Sequence, residues 1–110
     1  MSQNLDMKAQ VKQILKVVQQ LAPGRSVELI IPPSAAIQCV GGSTHRRGTP
    51  PNVVEIKAET LISLLESPDQ WQQFCELGAI SASGVNSNLD NLLEQASKLM
   101  NSEGRSKNGE

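Results

Sequence analysis

The sequence predicts an α+β domain: a mixed, mainly antiparallel sheet of four to five strands with helices packed on one face. Three observations carry that expectation. Amphipathic helical runs stand at the start, Leu5 to Ala22, and near the end, Asn88 to Met100. Three stretches of strand character, 26–31, 35–40 and 52–57, follow one another with no helix between them, which favours antiparallel neighbours. Trp71 and Phe74 are the sole aromatics of the 110 residues, so the core has to be aliphatic. A chain of this length forms one domain with one real core. We expect residues 1–101 to be that domain and the polar run 102–110 to be a disordered tail.

The elements follow in order. Val11, Ile14, Leu15, Val18 and Leu21 recur at the 3, 4 and 7 spacings of one helix face, with Lys12, Gln13, Lys16, Gln19 and Gln20 on the other. Pro23-Gly24 ends this helix. Val27, Leu29 and Ile31 alternate on one face of a strand, and Pro32-Pro33 ends it, since neither residue donates to a ladder. Ile37 and Cys39 share a face of the second strand, and the third covers Asn52 to Lys57. A short helix spans Ala58 to Glu66 on Leu61, Leu64 and Leu65. Ser67-Pro68-Asp69-Gln70 has the form of a capping box opening a second short helix, with Trp71, Phe74 and Cys75 on one side and Gly78 as its stop. Ala79 to Ser83 is a small-residue strand turned by Gly84, and Ser87 or Asn88 caps the last helix. The apolar face of that helix is Leu89, Leu92, Leu93, Ala96, Leu99 and Met100.

Composition excludes several functions. A net charge of −1 and the scarcity of aromatics argue against a nucleic-acid surface. No run of 18 apolar residues offers a membrane span. The start of the chain lacks a basic segment followed by an apolar one, so we expect a cytoplasmic protein without a signal peptide. Cys39 and Cys75 sit in apolar runs and read as two free thiols. With His45 they match no zinc spacing, so no metal site is expected. Gly41-Gly42-Ser43-Thr44 lacks the phosphate-loop form. No cofactor and no catalytic residue are expected.

The segment from His45 to Glu55 holds the most specific signal. Gly48, Pro50 and Pro51 stiffen a loop that carries the lone histidine beside Arg46 and Arg47. Two guanidinium forks on a rigid loop suit a phosphate or carboxylate. The same arginines could instead pair with Glu28 or Glu55, an arrangement worth roughly 0–1 kcal/mol when exposed. An imidazole can serve as a general base, but no acidic residue adjoins His45 in sequence to orient it for catalysis.

Asn52-Val53-Val54-Glu55, Leu61 to Leu65, Phe74 to Gly84 and Leu89 to Leu93 together resemble the C-terminal half of sterol-carrier-protein-like domains. Val-Glu-Leu-Ile-Ile-Pro-Pro at 27–33, Ala-Ala-Ile-Gln-Cys at 35–39 and Thr-His-Arg-Arg-Gly-Thr-Pro-Pro-Asn-Val-Val-Glu at 44–55 look closer still to a bacterial branch of small sterol-carrier-family proteins. The resemblance covers about residues 8 to 100. It implies a sheet of about five strands and, in many members, an apolar ligand held between sheet and helices. The function implied is non-enzymatic binding of a small apolar or amphipathic, lipid-like molecule. His45, Arg46 and Arg47 would then meet a head group, and Ile37, Trp71, Phe74, Leu93 and Met100 would form the apolar wall. Related domains also assist mycothiol-dependent enzymes. The second expectation is therefore an accessory module that docks on a partner enzyme and holds no small ligand.

Overall fold

In the computed structural model the described residues are 2–33, 35–41 and 51–108, with side chains described for 7–33, 35–41 and 51–102. The elements are helix α1 (Ser2–Leu21), strands β1 (Val27–Ile31), β2 (Ala35–Cys39) and β3 (Asn52–Ile56), helix α2 (Ala58–Glu66), a 3-10 turn (Pro68–Gln70), helix α3 (Trp71–Glu76), strand β4 (Ile80–Ser83) and helix α4 (Asp90–Asn108). The strand order is β2-β1-β3-β4. β1 pairs antiparallel with β2 and parallel with β3, and β3 pairs antiparallel with β4. The sheet is thus mixed and mostly antiparallel, with helices on one face, and the expected α+β class holds.

The register explains which residues form the core. Leu29 lies opposite both Ile37 and Val54, and Val54 lies opposite Ala82. Side chains of directly paired residues share a face, so Val27, Leu29, Ile31, Cys39, Val54, Ile56 and Ile80 all point at the helices, and all are buried. Val11, Ile14, Leu15, Val17 and Val18 of α1 meet them, with Leu61 and Leu64 of α2 and Leu89, Leu93 and Ala96 from the α4 end. At about 25 cal/mol per Å² of apolar surface, each such side chain contributes roughly 1.5–3 kcal/mol on burial. The opposite face carries Glu28, Ile30, Ala36, Gln38, Val53, Glu55, Ser81 and Ser83, none of which is buried.

Local chemistry sets the boundaries. α3 ends in a Schellman motif: the Gly78 N–H donates to Cys75 O and the Ala79 N–H to Phe74 O, with Gly78 at φ +80°. Asn88 caps α4, its Oδ1 accepting the Asp90 N–H at 2.9 Å. The buried Ser97 hydroxyl donates to Leu65 O and ties α4 to the last turn of α2.

Three expectations are corrected here. Ser67 makes no side-chain cap bond; the chain passes Pro68 as a 3-10 turn, with the Gln70 N–H on Ser67 O, before α3 starts at Trp71. The buried stripe of α1 includes Val17, while Leu21 is 37% exposed on the wall of an open cavity. The last helix does not stop at Met100; its backbone continues to Asn108. Cys39 and Cys75 are both free thiols.

Candidate binding cavities

α1 packs across β2, and the Pro32-Pro33 turn joins β1 to β2 beside it. A cavity of about 810 Å³ opens there. Its walls are Met7, Ala9 and Val11 of α1, Ile31 at the end of β1, both prolines, Ala35 at the start of β2 and Ala58 at the start of α2. The small residues leave the space: Ala9, Ala35 and Ala58 stand where larger side chains would meet. Lys8 and Lys12 complete the lining. Both are exposed, so their stems extend the apolar wall while their ammonium groups reach water at the rim. Volume and apolar character match sites for small organic molecules.

A second cavity, of about 610 Å³, lies at the other end of β1. Leu21, Ala22, Ser26, Val40 and Gly41 form one side; Val85, Asn86, Asn88, Leu89, Asn91, Leu92 and Gln95 form the other. Its frame is a buried polar network centred on Asn52, which is 2% exposed. Asn52 Nδ2 donates to Ser26 O at 3.0 Å and to Ser26 Oγ at 3.3 Å, and Asn52 Oδ1 accepts the Asn86 N–H at 2.9 Å. One side chain thereby joins the start of β1, the start of β3 and the loop before α4. Gly84 packs on it so closely that a Cβ there would fall 2.2 Å from Asn52 Oδ1. Ser87 Oγ donates to Gly84 O at 2.8 Å and holds the same loop.

The floor of this cavity is strained at Val40. A β-branched residue at φ +65° is a genuine backbone outlier. Its position is enforced from both sides: the Val40 N–H donates to Ala22 O at 2.7 Å, and Val40 O accepts the Ser26 N–H at 2.9 Å. Gly24 passes so near that a Cβ would lie 2.3 Å from Val40 O.

His45, Arg46 and Arg47 lie outside the described residues. The described chain stops at Gly41, in the wall of the second cavity, and resumes at Pro51 beside Asn52. The five expected wall residues gather in one core. Trp71 and Leu93 are buried within it, and Ile37, Phe74 and Met100 pack half-buried against it. None of the five lines either cavity described above.

The thiols offer little reactivity. Burial pushes the Cys39 thiol up to about 11. Cys75 is also raised, by burial and then by the nearby Glu76 carboxylate. Both shifts keep the thiol protonated at neutral pH and weaken it as a nucleophile. Among the described residues no cluster of three His, Cys, Asp or Glu side chains could hold a metal ion, and no helix is long and apolar enough to cross a membrane.

Sequence reasoning missed Asn52 as a keystone, and missed both cavities. Asn52 was visible only as the first residue of a strand, because its partners lie 26 and 34 positions away. The three asparagines and glutamine around the second cavity carried a weak signal in the uncharged Asn86-Ser87-Asn88 run.

A helix layer over one face of a four-stranded mixed sheet, with an apolar recess beside the first helix, makes a small α+β domain. The family model described as "Bacterial SCP ortholog" matches residues 3–94, and the chain belongs to that family. No curated protein matches the chain.

Proposed function

We propose that the chain binds a small apolar or amphipathic molecule without transforming it, and that the apolar part sits in the cavity beneath α1. The observation that carries this reading is the cavity wall: Met7, Val11, Ile31 and the two prolines around about 810 Å³ of open space. Membership of the bacterial sterol-carrier family supports a lipid-like ligand. Lys8 and Lys12 at the rim favour an anionic head. His45, Arg46 and Arg47 remain the candidates from sequence for a head group. Ile37, Trp71, Phe74, Leu93 and Met100 would serve as a wall only for a ligand that enters the core itself.

Native mass spectrometry of freshly purified protein, repeated after solvent extraction, tests the proposal. Bound mass that extraction removes is the expected result. Ala35→Trp should fill the α1 cavity and abolish binding of oleate, while Arg46→Ala with Arg47→Ala reports on the loop. An identical bare mass in both spectra, with no thermal stabilisation by oleate, overturns the carrier reading and favours a module that docks on a partner enzyme.

A further inference from the structure

β4 is one of the two edge strands of the described sheet, and among the described residues nothing pairs with its outer side. Natural edge strands are commonly guarded by a lysine, a proline or a bulge. β4 has none of these: it reads Ile80-Ser81-Ala82-Ser83 in unbroken register with β3. It also extends past the helix layer. Ala82 lies opposite the fully buried Val54, on the helix side of the sheet, yet it is exposed. The two most exposed large hydrophobic residues described, Leu77 at 71% and Val85 at 96%, flank this strand.

The flanks are arranged symmetrically about Ser81. Reading outward from it, Ile80 is matched by Ala82, Ala79 by Ser83, Gly78 by Gly84 and Leu77 by Val85. Both glycines have positive φ, +80° and +108°, and turn the chain at equal distances from the centre. Residues 77–89 include no charged side chain. A segment with this symmetry is its own complement under a two-fold axis, the condition for an isologous interface.

We propose that two copies of this chain join edge to edge through β4, antiparallel about a two-fold axis at Ser81, to give one eight-stranded sheet. Ser81 then faces Ser81, Ile80 faces the second copy's Ala82, and Leu77 of each copy meets Val85 of the other. The nearest acidic residue on the open face, Glu55, lies opposite Ser81 within its own copy. The two Glu55 side chains would be three strand spacings apart, roughly 14 Å, well beyond the ~8 Å screening length at physiological salt. No like charges oppose the contact. A four-residue edge buries little area, so the dimer is weak and depends on concentration.

Sedimentation of the full chain between about 10 μM and about 1 mM tests this directly. The expected mass rises from 11.8 kDa towards twice that value. Ser81→Lys sets two ammonium groups face to face on the axis and should abolish the rise, with the circular dichroism spectrum unchanged because Ser81 is exposed. In a Cys75→Ser background, Ser81→Cys should form an intermolecular disulfide with oxidised glutathione as oxidant, since directly paired Cα atoms lie within disulfide reach. Ser83→Cys, placed opposite Ala79, should not. A constant monomer mass at the highest concentration overturns the proposal and leaves the edge to a strand of another protein. So does a dimer that survives Ser81→Lys, or cross-linking at position 83 equal to that at 81.

Discussion

Removing the Asn52 side chain should be the most damaging single truncation of a polar residue in this domain. Asn52→Ala deletes three hydrogen bonds, at 2.9, 3.0 and 3.3 Å. Ser26 O keeps one donor, the Asn52 backbone N–H at 3.3 Å, but the Asn86 N–H and Ser26 Oγ lose their partner. At about 1 kcal/mol per net hydrogen bond, with part of the loss recovered by water at the exposed Asn86, the cost is about 2–3 kcal/mol. For a domain near this size that corresponds to a fall in Tm of about 10–20 °C. Thermal melts followed by circular dichroism and urea titration give the two independent readings. Asn52→Asp adds a sign test. It keeps an acceptor for Asn86 but turns a second oxygen towards the Ser26 carbonyl, which should raise the folded-state pKa of the new carboxyl. Its stability relative to wild type should then be best below about pH 4 and fall as pH rises through that raised value. A loss under about 1 kcal/mol for Asn52→Ala, or a pH-independent gap for Asn52→Asp, would refute the keystone role.

Four further outcomes are expected. Because the Cys39 thiol is raised from 9.0 to about 11, the folded state holds its proton more tightly; the associated stability is complete below pH 9 and lost by up to ~3 kcal/mol as pH climbs towards 11, a slope that Cys39→Ala should reduce in alkaline urea titrations, the raised Cys75 thiol supplying the remainder. Gly24→Ala should destabilise by about 2–4 kcal/mol, since the new Cβ meets the Val40 carbonyl at 2.3 Å and φ is +147°; an unchanged melt would show that the two turns can separate freely. Val40→Asn, which tolerates the left-handed region better than valine, should raise the urea midpoint by the equivalent of about 0.5–1 kcal/mol, and a fall would mean that the half-buried Val40 side chain matters more than its backbone. Deleting residues 103–110 should leave Tm unchanged within about 1–2 °C, because Met100 is the last residue of α4 described as packed on the core.

Much of the fold was legible because it is written in local periodicity. The alternation of Val27, Leu29 and Ile31 gave β1, Leu61 and Leu64 placed α2 at its observed bounds, and Gly78 stopped α3 as expected, which it does in a left-handed conformation. The misreadings arose where tertiary geometry overrode a local pattern. Leu21 has the right helical spacing for the core, but it lies in the last turn of α1 on the wall of the open second cavity, which leaves it partly exposed. Ser67 has capping-box spacing, but the following proline begins a 3-10 turn and the side chain finds no amide. The candidate site was less legible still. A cavity depends on the angle at which α1 crosses a proline turn some twenty residues away, and no periodicity encodes that angle. Trp71 and Leu93, expected in a ligand wall from the resemblance, are buried in the core cluster, and no local pattern tells the two roles apart.

The bonds made by Ser26 have a consequence for how the chain can change. Its N–H engages Val40 O, and its carbonyl receives the backbone N–H of Asn52. Departure and return points of the intervening segment are therefore clamped to the same residue, like two leads soldered to one terminal. One buried serine thus sets the distance between residues 40 and 52, and a change at Ser26 would reach both ends of that span at once.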